Sequence, residues 1–308
     1  MARLPIPPPD VLVLGAGGVL GEAWMTGVLA GIEDVRGVDF RRCEHFIGTS
    51  AGSMVAAGLV AGRSPRRPDQ PATEEPGDKP IEASLAEAAR RGLRLASAYA
   101  AAAIAPVASL ALAATAPGGA LMRAAVLSQL PRPTVELDDL QRRIDRLDAR
   151  FDGRLRVATV DRLNGRRVAF GAPRAPAATV GEAVAASCSV PWLFAPVTIG
   201  GREYVDGGIW SPTNLDLAPV SRATEVLCLA PTGGMIDVRG VGTAVRAVGR
   251  SAAAVEALAL RRRGARVRII GPDREAADAM GEELMDRARA TATLAAGFAQ
   301  GQRYAERR

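Results

Sequence analysis

The sequence predicts an α/β fold built on a mostly parallel sheet. Two strand–turn–helix units fall within the first sixty or so residues, and the alternation of short apolar strands with helices resumes after Leu155. The two early turns are both glycine-rich, as tight strand-to-helix connections require.

In chain order, Val11–Leu14 reads as a buried strand, followed at once by "GAGGVLG" and a helix from about Glu22 to Ile32. His45–Gly48 is the second strand. After a short turn, Ser53–Ala61 is a helix apolar nearly all round, hence buried, and Gly62 is its stop. Residues 64–80, "SPRRPDQPATEEPGDKP", have no periodicity and read as an exposed Pro-rich loop. A helical pattern resumes at Ile81. The uncharged Ala-rich stretch 95–117 approaches the length of about 20 residues that spans a bilayer, but Pro106 would kink it. Three readings stay open for it: a helix pair packed on the core, a lid or membrane-resting surface, or a transmembrane helix. The whole of 81–130 is expected to be a helical insertion.

"LRVATVDRLNGRRVAF" (155–170) predicts two strands joined at Asn164-Gly165. Thr179 and Glu182 form a capping box that starts a helix. Strands are expected at Val226–Ala230 and Val267–Ile270. A C-terminal helix from about Asp273 carries Ala276, Met280, Leu284, Thr291, Leu294 and Phe298 on one side. The 308 residues read as a single domain, 1–308, interrupted by the loop and the insertion.

The net charge of +6 allows an anionic partner, but no basic stretch is interleaved with aromatics, so nucleic acid is not expected. Cys43, Cys188 and Cys228 lie far apart and form no C-x-x-C pair, which argues against a disulfide framework or a metal site. The N-terminal segment lacks the long apolar core of a signal peptide. A cytoplasmic location follows from these two readings, with peripheral contact to an anionic membrane.

"GTSAG" (48–52) carries the chemistry: Gly48, Ser50 and Gly52 form a G-x-S-x-G pattern between a strand and a helix. A serine hydroxyl needs a base, usually histidine, and His45 is the only one in the chain. On a strand rising about 3.3 Å per residue, His45 lies roughly 15 Å from Ser50, beyond the reach of a base. Lys79 lies in the charged loop and is an unpromising candidate; carboxylates remain, and one can serve if held in a partly desolvated site. Asp206 in "YVDGGIW" follows an apolar pair and precedes Gly207 and Gly208, which permit close backbone approach; alone, such a tripeptide is only a turn. The first glycine run exposes backbone N–H groups at a helix N-terminus, suited to an oxyanion. It also approximates the dinucleotide pattern G-x-G-x-x-G, with Gly15 and Gly17 in place. There Leu20 occupies the third position and Gly21 comes one place late.

A glycine-rich turn, G-x-S-x-G and D-G-G in this order, without a usable histidine, resemble the patatin-like phospholipases. "AASCSVPWLFAPV" (185–197) and the preceding strand pair also look like that family's segments. The resemblance covers residues 11–62 and 155–215, and loosely the last strand and helix. It implies a three-layer α/β/α fold and a Ser–Asp dyad that hydrolyses lipid acyl esters without a cofactor or metal. By position it makes Ser50 the nucleophile and Asp206 the general base. Gly17 and Gly18 would supply the oxyanion hole, joined by the N–H of Ala16 or Val19, with Gly21, Gly48, Gly52, Gly207 and Gly208 supporting the motifs. Two positions depart from the family: Leu20 stands where it usually has Arg or Lys, and Ala16 where glycine is common. The reading from a different class is a lipid-binding or regulatory module on the same fold.

Overall fold

The computed structural model describes residues 6–70, 119–130, 132–233 and 241–307. The Pro-rich loop beyond Gln70 and the expected insertion up to residue 118, including the Ala-rich stretch, lie outside the described residues. The elements are β1 (Val11–Leu14), α1 (Gly18–Arg36), β2 (His45–Thr49), α2 (Ala51–Val60), α3 (Gly119–Gln129), α4 (Asp138–Asp145), β3 (Leu155–Asp161) and β4 (Arg167–Phe170). They continue as α5 (Val180–Cys188), β5 (Val197–Ile199), β6 (Arg202–Asp206), β7 (Glu225–Leu229), α6 (Val241–Arg262), β8 (Arg266–Ile270), α7 (Arg274–Met280) and α8 (Ala290–Glu306).

Among the described residues the strands form one eight-stranded sheet, in the order β5-β6-β3-β2-β1-β7-β8, with β4 also paired to β3. Strands β3, β2, β1, β7 and β8 run parallel. The pairings of β4 and β6 with β3 and of β5 with β6 are antiparallel. The chain builds outward from β1 in one direction through β2 and β3, then returns to the other side of β1 with β7. A crevice opens at the carboxyl ends of the strands at such a reversal.

The parallel strands are apolar on both faces because both are covered. Leu12, Leu14, Phe46 and Val157 face a core shared with Trp24 and Val28 of α1, Ala56 of α2 and Val184 of α5. Val11, Val13, Ile47, Val226 and Cys228 face a second core closed by Ala257 and Leu260 of α6. This is a three-layer α/β/α arrangement.

Helix α1 meets α8 at backbone contact distance. A Cβ on Gly31 would fall 2.9 Å from the Gln302 amide nitrogen, and one on Gly297 would fall 2.6 Å from the Trp24 carbonyl oxygen. Trp24 Nε1 donates to Gln300 Oε1 at 2.8 Å inside this contact.

Where the sequence predicts one C-terminal helix, the structure has two. Gly281, with φ 66°, ends α7, and the chain re-enters an α-helix only at Ala290, after a 3₁₀ turn at Arg287–Arg289. The break frees the Leu284 carbonyl, which accepts the Leu20 N–H at 3.0 Å and anchors the start of α1. The predicted capping box is present: Thr179 Oγ1 accepts from the Glu182 N–H at 3.0 Å and the Glu182 carboxylate from the Thr179 N–H at 2.7 Å. Among the described residues no helix is long and apolar enough to cross a membrane.

Candidate active site

Ser50 forms the turn between β2 and α2 with φ 52° and ψ −124°, a left-handed conformation unusual for a residue with a side chain. Such strain costs about 1–3 kcal/mol and is held by surrounding contacts. The Ser50 N–H donates to Ser187 Oγ at 2.8 Å, and Ser187 Oγ donates to the Ala158 carbonyl at 2.7 Å. The Ser50 carbonyl accepts from both the N–H (2.8 Å) and the hydroxyl (2.6 Å) of Ser53. The flanking glycines are required by approach. A Cβ on Gly48 would meet the Ser53 amide nitrogen at 2.9 Å, and one on Gly52 would meet the Gly15 carbonyl at 2.8 Å.

The last contact brings the first glycine run against the start of α2. In that run, the Gly15 and Ala16 amides donate to Leu229 and Pro212 carbonyls at 2.9 and 2.7 Å, and the Leu20 and Gly21 amides to Leu284 and Gly17 carbonyls. Gly17, Gly18 and Val19 lie between these pairs and have no hydrogen-bond partner for their N–H groups among the described bonds. Ala16 is therefore not a free donor, whereas the Val19 N–H is. The first turn of α1 carries no acidic residue, so the positive end of the helix is uncompensated.

Asp206 ends β6. Its carboxylate accepts the Gly208 N–H at 2.6 Å and is buried, with 5% exposure. Burial pushes its pKa up to about 6, opposed by the Gly208 N–H and by the Ser50 side chain. The two side chains thus interact, although no short hydrogen bond joins them in the resting geometry; such bonds often tighten only with substrate present.

Sheet register explains why they meet. Val157 and Ala158 of β3 pair with both β2 and β4, while Thr159 and Val160 pair with both β4 and β6. A strand has two edges, so β2 and β6 lie on the same edge of β3, end to end. Thr49 faces Ala158 and Asp206 faces Thr159, one residue farther on. The closing Gly207 sits so near β3 that its Cβ would fall 2.6 Å from the Ala158 carbonyl carbon.

The family profile described as Patatin-like phospholipase matches residues 12–219, more than half of the chain. The chain belongs to this family. At family level these are lipid acyl hydrolases. No curated protein matches the chain. Among solved structures it is similar to the crystal structure of VipD from Legionella pneumophila, with 16% identity and a TM-score of 0.43 over 97% of this chain and 67% of that one.

Leu20, in the first turn of α1, is fully buried in the core and presents no cation. Ala16 packs toward Gly208, whose Cβ would stand 3.6 Å from its own. His45 begins β2, at the opposite end of the strand from Ser50. It lines a surface depression there with Asp10, Pro219 and Thr224. Cys188 ends α5 half-buried near Asp206, and burial together with that charge raises its thiol pKa. Among the described residues no group of three or more His, Cys, Asp or Glu is arranged to hold a metal.

Sequence reasoning missed three polar residues around the two turns: Ser187, Thr49 and Asn214. Ser187 sits within "AASCSV", where a small polar residue in an apolar helix was the available signal. The Asn214 amide donates to Thr49 Oγ1 at 3.1 Å and to the Gly207 carbonyl at 3.2 Å. Farther out, two guanidinium groups approach the ring of Trp210. Arg123, 3.9 Å from the ring centroid, donates through Nε to the Gly165 carbonyl at 2.9 Å, and Arg167 lies 5.0 Å from the centroid.

Proposed function

We propose that this patatin-like phospholipase hydrolyses lipid acyl esters by a Ser50–Asp206 dyad and an acyl-enzyme intermediate. The observation that carries the reading is the pairing of a serine on a strained strand-to-helix turn with a buried carboxylate whose pKa is raised to about 6. A base of that strength takes the proton of Ser50 as its oxygen attacks the ester carbonyl. The N–H groups of Gly17, Gly18 and Val19 hold the oxyanion, and Asp206 returns the proton to the departing alcohol. Asp206 then deprotonates a water that attacks the acyl-enzyme, and Ser50 leaves with that proton. Losing one oxyanion donor typically costs about 10²–10³ in rate.

Peripheral contact with an anionic lipid surface belongs to the same proposal. Leu163, 84% exposed in the β3–β4 turn, lies at the carboxyl edge that carries Ser50. Leu121, 77% exposed, is on α3, which Arg123 ties to that turn. The free thiols of Cys43, Cys188 and Cys228 suit a reducing, cytoplasmic setting. The core position of Leu20 favours a second reading, a lipid-binding module with weak catalysis.

Hydrolysis of p-nitrophenyl esters of increasing chain length, by wild type, Ser50→Ala and Asp206→Asn, tests the dyad. The expected result is activity in wild type alone, with both variants folded and at least about 10³-fold slower. Activity surviving in Asp206→Asn would remove the base assignment. A wild type inert on these esters and on anionic phospholipid vesicles, yet bound to the vesicles, would favour the module.

A further inference from the structure

Asn214 is fully buried in the loop after β6 and adopts a left-handed backbone, φ 47° and ψ 34°. Its amide nitrogen donates to Thr49 Oγ1 (3.1 Å), to the Gly207 carbonyl (3.2 Å) and to the Ser211 carbonyl (2.6 Å). Thr49 immediately precedes Ser50, and Gly207 immediately follows Asp206. One NH₂ group thus touches the chain neighbours of both candidate catalytic residues. An amide has two protons, so three acceptors leave it no idle donor.

The orientation of that amide is fixed from outside. Its oxygen accepts from Arg167 Nη1 at 3.1 Å, and Arg167 is held by a bidentate pair with Asp216 at 2.6 and 2.7 Å. The Glu256 carboxylate grips the loop on each side of Asn214, accepting from the Thr213 hydroxyl at 2.7 Å and the Leu215 N–H at 2.9 Å. Burial raises the Glu256 pKa, and the charge of Asp216 adds to this.

We infer that Asn214 is a positioning residue, which sets the spacing between Ser50 and Asp206 by holding Thr49 and Gly207 on one amide. The inference rests on the dyad reading. Asn214 acts through its neighbours and touches no reacting atom. Small displacements matter in such a site, because a shift of about 1 Å between reacting groups can cost about 10² in rate.

A purely conformational role for Asn214 is separable from this one. Glycine adopts the same left-handed backbone without strain but has no amide. Asparagine and aspartate share a shape, and aspartate still accepts from Arg167 while donating nothing. The test measures kcat and KM on a p-nitrophenyl ester for wild type, Ser50→Ala, Asn214→Gly, Asn214→Asp, Thr49→Val and the Thr49→Val/Asn214→Gly double variant, each checked for folding by thermal melt. Expected are a KM within about 3-fold of wild type and a kcat lowered about 10- to 100-fold in both Asn214 variants. The double variant is expected to lose less than the product of its single losses, since both single variants remove the same Asn214–Thr49 bond. A folded Asn214→Gly with kcat within about 3-fold of wild type overturns the inference. If that variant does not fold, Asn214→Asp and Thr49→Val both turning over at the wild-type rate would overturn it equally. Wild-type activity that persists in Ser50→Ala removes the dyad reading itself and the inference with it.

Discussion

Asp206 continues the line of Thr49 along β3: the two residues pair from the same side with consecutive positions of that strand. The end of one strand therefore faces the end of another running the opposite way. Ser50 lies in the turn that leaves β2 and Asp206 is the last residue of β6. This juxtaposition is built from backbone pairing and needs no long side chain to bridge it.

With Asp206 as the proposed base, its raised pKa sets an acid limit on activity. A base must be ionised to accept the serine proton, so the rate should rise with pH and reach half its plateau near pH 6. A pH profile of kcat/KM on a neutral ester reads this directly. A profile flat from pH 5 to 8, or one whose limb lies near the ordinary carboxylate value, would disprove the assignment of Asp206.

The same shift has a stability consequence of opposite sign to a salt-bridged carboxylate. Burial disfavours the charged form in the folded state only. The penalty is thus absent below the unfolded value of 3.8, grows between 3.8 and about 6, and is complete above that. Asp206→Asn should stabilise the protein at pH 8 by about 1–3 kcal/mol and by little or nothing at pH 4. Thermal melts at the two pH values check it; a variant less stable than wild type at pH 8 would contradict the sign.

Strain at Ser50 can be read from two variants at that position. Ser50→Ala keeps a side chain at φ 52°, whereas Ser50→Gly removes the steric conflict. Ser50→Gly should unfold at higher denaturant than Ser50→Ala, by about 1 kcal/mol. Equal midpoints would mean that the turn is not strained.

Ser187 is a further lever on the candidate nucleophile. Ser187→Ala leaves the buried Ser50 N–H and Ala158 carbonyl without their partner. Each unsatisfied group costs about 1–3 kcal/mol, so the variant should be clearly less stable and slower in turnover, with KM little changed. Wild-type stability and rate in this variant would show that the elbow is held by other contacts.

Much of this was legible in the residues themselves. The apolar run Val11–Leu14 with its glycine turn, the G-x-S-x-G turn, the Asn164-Gly165 hairpin and the Thr179–Glu182 capping box are local signals, each complete within a few residues. The break in the C-terminal helix has no such local signal. The apolar spacing from Ala276 to Phe298 is helical throughout, and only the left-handed Gly281 and the anchoring of Leu20 by Leu284 show why the helix must break. Ser187 and Asn214 carry no such local signal, because the bonds that tie them to Ser50 and Thr49 span more than a hundred residues.

The sequence by itself determined which residues can do chemistry here: a serine between small residues, an aspartate before two glycines, backbone amides at a helix start, and no histidine within reach. Tertiary structure alone decided that β2 and β6 share one edge of β3, which amides remain unpartnered, and how deeply Asp206 is buried. The physical reason is range. Backbone preference and side-chain reactivity are properties of a few neighbouring residues. Register, desolvation and hydrogen-bond competition are settled only when distant segments pack against one another.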